Sequence, residues 1–233
     1  MEGAVSKIKI CGITRECEAE WLNEAAVDYA GFVFYEKSKR NVPIAKAKEI
    51  AKKLKQDIKS VAVLVSPVEE QIREIEDAGF DILQIHGECD VNLIEQTRIP
   101  VWQAFQLKNL TDTECLRRME ASRASGVLLD AGDYGSGKTF GWEHEKEGSL
   151  QALMWYMEYV QMQERMQKKN TTLILAGGLN ADNVALGMEL FHPDVVDVSS
   201  GVEQEGTPFA GKSREKLLAF VQAVRKGNIG KEE

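Results

Sequence analysis

No apolar run in this 233-residue chain approaches the ~20 residues that a membrane-spanning helix needs. Residues 1–9 lack the long apolar core of a secretory leader. Basic residues are outnumbered, 29 Lys and Arg against 37 Asp and Glu, for a net charge of −8. A nucleic-acid binder normally gathers a basic excess on one face, so that class is disfavoured. A small anionic ligand is not excluded, because a few amides and one or two basic side chains can hold a phosphate inside an acidic protein. The four cysteines, Cys11, Cys17, Cys89 and Cys115, form no CxxC pair, and none stands near a histidine at metal-ligand spacing. These absences predict a cytoplasmic protein with reduced thiols, no metal site and no membrane partner.

What is present is ordinary in bulk and ordered in pattern. Hydrophobic residues are 43% and charged residues 28%, as in soluble globular chains, and the length suffices for a large core. Short β-rich runs at 7–10, 29–34, 58–65, 82–85, 100–105, 126–129, 172–176 and 195–198 alternate with longer amphipathic stretches. These lie at 16–27, 44–56, 68–78, 92–98, 111–122, 150–168, 181–190 and 214–225. In them apolar residues recur at helical spacing, as at Ile72, Ile75 and Ala78. Ser66-Pro67 reads as a helix start with Pro in the first turn, and Asn180 as an N-cap. Eight strands alternating with eight helices predict an α/β fold with a parallel sheet and outer helices. Closed on itself, this is a single (βα)8 barrel, the TIM barrel, over residues 1–233 with a loose tail at 226–233. An open doubly wound sheet is the runner-up; it would cluster its glycine and polar signals at one switch point, whereas here they follow nearly every strand.

In a barrel of this kind chemistry sits at the C-terminal ends of the strands. The runs at 172–176 and 195–198 end in Gly177-Gly178 and Ser199-Ser200-Gly201. Glycines there let backbone N–H groups approach an anion, and the next helix start adds a favourable dipole. Such glycines also make plain tight turns, but two on neighbouring strands favour a phosphate cradle. Asp130 ends a buried run and suits a pocket acid or a loop cap; as an acid it needs a pocket poor in water. Cys11 ends the first run. It fits a small half-buried hydrophobe at least as well as a pocket base. Together Cys11 and Asp130 supply one base and one acid for proton transfer beside a nascent carbonyl or imine. Arg40, in a basic loop, is either solvated or a clamp for a carboxylate or phosphate. His86 reads as structural rather than catalytic; His144 and His192 carry no assignment. Trp21, Trp102 and Trp155 read as packing residues.

These residues fall into a pattern that resembles the phosphoribosylanthranilate isomerase family. The resemblance lies in Lys9-Ile-Cys-Gly-Ile-Thr-Arg15, Gly31-Phe-Val-Phe34 with Ser38-Lys-Arg40, and Leu83-Gln-Ile-His-Gly87. It continues in Leu128-Leu-Asp130 with Gly135-Ser-Gly-Lys-Thr-Phe-Gly-Trp142, Leu175-Ala-Gly-Gly-Leu-Asn180, and Val196-Asp-Val-Ser-Ser-Gly-Val-Glu203. It covers nearly the whole chain. What the resemblance implies is a cofactor-independent Amadori rearrangement of N-(5-phosphoribosyl)anthranilate, a step of tryptophan biosynthesis. It implies Asp130 as general acid on the ring oxygen and Cys11 as general base at the sugar C2. It further implies Arg40 near the anthranilate carboxylate, and His86 and Asp197 as substrate-binding positions. Gly177, Gly178, Ser199, Ser200 and Gly201 would hold the phosphate.

Segment 143–170 is longer than the family pattern leads one to expect, and is rich in Met and Gln. It reads as an extended helix after the sixth strand. Monomer and homodimer both suit the fold. Two other readings compete. The related isomerase of histidine biosynthesis would carry an aspartate where Cys11 stands. A non-catalytic phosphometabolite binder would have lost Cys11 or Asp130, and both are present.

Overall fold

The computed structural model describes residues 5–106, 118, 119, 121–130, 171–206 and 209–229. Eight strands form a closed barrel in chain order: β1 Lys7–Cys11, β2 Tyr29–Val33, β3 Lys59–Val65, β4 Ile82–His86, β5 Val101–Gln106, β6 Gly126–Asp130, β7 Thr172–Ala176 and β8 Val195–Val198. Every neighbouring pair is parallel, and β1 closes the ring by pairing Lys9 with Asp197 on β8. The open-sheet alternative is thereby excluded. Period-two alternation divides each strand. One set of side chains, including Val61, Val63, Ile82, Trp102, Leu128, Ile174 and Val195, fills the barrel interior. The other set packs outward against helices, with Leu22, Ile50, Ile75, Phe191, Leu217 and Phe220 from the helical side.

The described helices are α1 Glu16–Ala25, α2 Ile44–Ala51, α3 Glu69–Ala78, α4 Val91–Gln96, α5 Val184–Phe191 and α6 Arg214–Ile229. α1 starts where the Glu18 carboxylate accepts the backbone N–H groups of Thr14 and Arg15. It stops at Ala26 in the left-handed region. α4 is capped by Asp90, which accepts from Asn92 N–H. The expected helices at 111–122 and 150–168 lie wholly or mostly outside the described residues.

Three local expectations need adjustment. Pro67 is not in the first turn of α3, which begins at Glu69. Ser66 instead turns the chain out of β3 at φ 44°, and its hydroxyl accepts Glu88 N–H. Asn180 lies one turn ahead of α5; its side chain accepts Asp182 and Asn183 N–H and so caps the turn that leads in. Residues 226–229 belong to α6 rather than to a tail. There Asn228 exchanges hydrogen bonds with both backbone groups of Ser6, at 3.0 and 3.1 Å, and ties the helix end to the start of β1. Trp102 does pack, edge-on to Tyr29 inside the barrel.

Candidate active site

Cys11, His86 and Asp130 end β1, β4 and β6 at the same C-terminal rim. Cys11 and Lys9 are two apart on β1 and so face the same way, into the barrel. A Cβ placed on Gly31 of β2 would stand 3.0 Å from Cys11 Sγ and 3.1 Å from Lys9 Nζ. Thiol and ammonium therefore crowd one spot, which only a glycine leaves open.

Lys9 is fully buried and donates to Asp197 Oδ2 at 2.7 Å across the β1–β8 seam. Burial by itself would depress the Lys9 ammonium. The Asp197 carboxylate, helped by Cys11, outweighs that, and the pKa lies above its ordinary value of 10.5. Asp197 is 6% exposed, and its Oδ1 is buried with no hydrogen-bond partner among the described residues. On the opposite wall, Gln84 Nε2 and His86 Nε2 are 2.7 Å apart. Burial, reinforced by the Lys9 charge, lowers the His86 pKa to about 4, so the ring is neutral near pH 7.

The exits of β7 and β8 meet. Gly177 and Gly178 have φ of 91° and 67°, conformations that favour glycine. A Cβ on Gly201 would lie 2.0 Å from the Leu179 carbonyl oxygen, so the β8 exit can abut the β7 exit only without a side chain. Ser200 opens a short 3₁₀ turn through Val202, and the Ser199 hydroxyl donates to the Cys11 carbonyl at 3.0 Å. The two exits thus abut each other beside Cys11.

Arg40 is not a solvated loop residue. It is 7% exposed, and its stem lies over Gly12, where a Cβ would meet Arg40 Cδ at 2.6 Å. Its Nε donates to Glu203 Oε1 just beyond β8, and its Nη2 is buried without a partner among the described residues. Glu203 also receives Lys39 at 2.9 Å and the fully buried Lys212 at 3.2 Å. Burial pushes the Glu203 carboxyl up. The Arg40 hydrogen bond and the Lys212 and Lys39 cations more than reverse this and hold it at about 2. Lys212 is shifted down by burial, with Glu203 opposing and Arg40 adding to the shift. Its remaining donor contacts go to Ser199, at the carbonyl and the hydroxyl.

The structure brings Cys11, Arg40, Asp197, Ser199, Ser200 and Gly201 into one neighbourhood around the β8–β1 seam, with Gly177 and Gly178 alongside. Asp130 and His86 stand on other strands of the same rim. The sequence pattern took Lys9 and Glu203 only as the ends of motifs and did not single out Lys212. Lys9 had a legible signal: in Lys7-Ile-Lys-Ile-Cys11 it stands two before Cys11, on the same face of the strand. Lys212 had none, because its position depends on the antiparallel bridge that pairs it with Glu203. Among the described residues no group of three or more His, Cys, Asp and Glu side chains could hold a metal ion. No described helix is long and apolar enough to cross a membrane.

The family model for N-(5'phosphoribosyl)anthranilate (PRA) isomerase matches residues 8–223. An N-(5'-phosphoribosyl)anthranilate isomerase of Clostridium acetobutylicum is 37% identical over 94% of this chain and 98% of its own. One of Thermoanaerobacter sp. is 35% identical over 94% and 98%. Among solved structures, the phosphoribosyl anthranilate isomerase of Thermotoga maritima superimposes with a TM-score of 0.75 at 30% identity, over 95% of this chain and 99% of that one. A phosphoribosyl anthranilate isomerase in complex with reduced 1-(o-carboxyphenylamino)-1-deoxyribulose 5-phosphate gives 0.75 at 28%, over the same shares.

Proposed function

The chain belongs to the N-(5'-phosphoribosyl)anthranilate isomerase family, and we propose that it isomerises N-(5-phosphoribosyl)anthranilate to 1-(2-carboxyphenylamino)-1-deoxyribulose 5-phosphate in tryptophan biosynthesis. The observation that carries the reading is the rim itself. A thiol on β1 and a carboxyl on β6 share it with a paired glycine cradle and a buried arginine with one donor that meets no partner among the described residues.

In the proposed mechanism Asp130, protonated, gives its proton to the furanose ring oxygen as the ring opens to an imine. Cys11, as thiolate, removes the proton from the sugar C2. The resulting enolamine becomes the aminoketone when C1 takes up the proton now on Cys11 and the C2 hydroxyl gives one up to the Asp130 carboxylate, which restores both groups. General acid and base groups in such positions contribute typically 10²–10⁴-fold each. The buried Lys9 ammonium stands beside Cys11 at Gly31, so the proton is taken next to a fixed cation. Gly177, Gly178, Ser199, Ser200 and Gly201 hold the phosphate through backbone amides and hydroxyls. Arg40 takes the anthranilate carboxylate. His86, neutral, at the rim, and Asp197 Oδ1, which has no partner among the described residues, contribute uncharged and charged polar contacts.

The test is loss of substrate fluorescence when purified protein meets freshly generated phosphoribosylanthranilate, with Cys11→Ser and Asp130→Asn alongside. Turnover by the wild type, abolished in both folded variants, is the expected result. A folded wild type without turnover refutes the reading.

A further inference from the structure

Three cations, Lys39, Arg40 and Lys212, converge on the single carboxylate of Glu203. One anion cannot neutralise three cations, so the cluster keeps an excess of positive charge. The three differ in what else they meet. Lys39 is half exposed to water, and Lys212 spends its other contacts on Ser199. Arg40 alone keeps a buried donor, Nη2, with no partner among the described residues. Burying an N–H of a charged group without an acceptor is costly, and a ligand oxygen would remove that cost. Arg40 reaches this place from the loop after β2, across Gly12, on the β1–β2 side of Cys11. The glycine cradle lies at the exits of β7 and β8, in the same neighbourhood. A ligand with a phosphate at one end and a carboxylate at the other would have both ends met.

A guanidinium on a flexible stem does not hold such an aim by itself. Its plane is fixed once Nε is tied, because the fork is rigid. Glu203 ties it from the far side of the β8–β1 seam, 163 residues away in sequence. Resting on the isomerase reading above, we infer that Glu203 is a positioning residue. By gripping Arg40 Nε, it presents Nη2 to the aromatic carboxylate of the substrate. Removing the Glu203 charge would make the cluster more positive, so a mere counter-ion would bind anions tighter when lost. A positioning residue would bind the carboxylate worse, and only the carboxylate.

That difference in sign is the test. Affinities are measured by calorimetry for two stable ligands, reduced 1-(2-carboxyphenylamino)-1-deoxyribulose 5-phosphate and its counterpart lacking the carboxylate. The wild type should prefer the carboxylated ligand by about tenfold or more, as expected of a hydrogen bond to a charged group. Glu203→Gln and Glu203→Asp should cut that preference to below about threefold while leaving the other ligand's Kd within about twofold. Arg40 Nε and Lys212 Nζ share Glu203 Oε1, so Glu203→Asp draws back from both but keeps a negative charge in the cluster, and it decides the matter if Glu203→Gln does not fold. Arg40→Lys, which leaves Glu203 in place, should lose the preference likewise. A folded Glu203 variant, or Arg40→Lys, that keeps the full preference or binds the carboxylated ligand more tightly overturns the inference. A wild type that turns over substrate but does not discriminate the two ligands also overturns it, while the isomerase reading stands. A wild type that neither binds nor turns over fails the isomerase reading itself.

Discussion

Replacing Asp197 by Asn removes the carboxylate that the fully buried Lys9 ammonium meets across the β1–β8 seam. The substitution is nearly isosteric, so the loss is of charge rather than of volume. Breaking a buried pair from one side costs about 3–5 kcal/mol. A ceiling comes from the alternative open to Lys9, which is to fold neutral. Deprotonating a group of ordinary pKa 10.5 at pH 7 spans about 3.5 units, or about 5 kcal/mol at about 1.4 per unit. The two figures agree, so Asp197→Asn should lose about 3–5 kcal/mol at pH 7, roughly 6–20 °C in Tm for a chain of this size. The pH dependence identifies the cause. In the wild type the folded pKa of Lys9 is raised, so its contribution is complete below 10.5 and fades only as pH rises through the folded value. Between pH 7 and 9 the wild type feels nothing from this group. In the variant Lys9 is neutral when folded and protonated when unfolded, so stability climbs with pH by up to about 1.4 kcal/mol per unit. The gap between the two proteins should therefore narrow by about 2–3 kcal/mol from pH 7 to 9. Urea unfolding at both pH values measures it. A gap below about 1 kcal/mol at pH 7, or a large gap unchanged at pH 9, refutes the argument.

Gly201→Ala should destabilise by about 1–3 kcal/mol and weaken inhibition by inorganic phosphate, because the new methyl meets the Leu179 carbonyl oxygen at 2.0 Å; thermal melts and competition kinetics check both. Glu203 has a folded pKa of about 2 against an ordinary 4.5, so its contribution is complete above 4.5 and is lost as pH falls towards 2. The stability deficit of Glu203→Gln should accordingly be constant from pH 5 to 7 and shrink below pH 4, as acid titrations of the two proteins would show. Truncation after Arg225 should cost about 1–3 kcal/mol, since it removes the Asn228 clamp on Ser6. A truncated chain with an unchanged urea midpoint would mean that the clamp is idle.

Much of the architecture was legible along the chain because it is written locally. Strand and helix periodicities differ, so eight alternating runs could be read residue by residue, and most observed bounds fall within a residue or two of the expected strands. Cys11 at a strand end, Asp130 at another and the glycine pairs after β7 and β8 were visible for the same reason. The turn at Ser66-Pro67 was misread because a serine before proline suits a helix cap and a strand exit alike, and only the register with β4 distinguishes them. Residues 226–229 read as tail because Lys226, Gly227 and Asn228 are not apolar, and the reason Asn228 is buried lies at Ser6, 222 residues away; residues 230–233 lie outside the described residues.

The sequence by itself determined the kind of fold, the rim on which chemistry would sit and the residue types available there. Barrel closure alone decided which of those residues touch. Lys9 meets Asp197 and Arg40 meets Glu203 across 188 and 163 residues, because β8 returns to lie beside β1. Charge complementarity along a chain names many possible partners. Only the closed geometry, by excluding water from one place, makes a particular pair obligatory and leaves Arg40 Nη2 and Asp197 Oδ1 without a partner among the described residues.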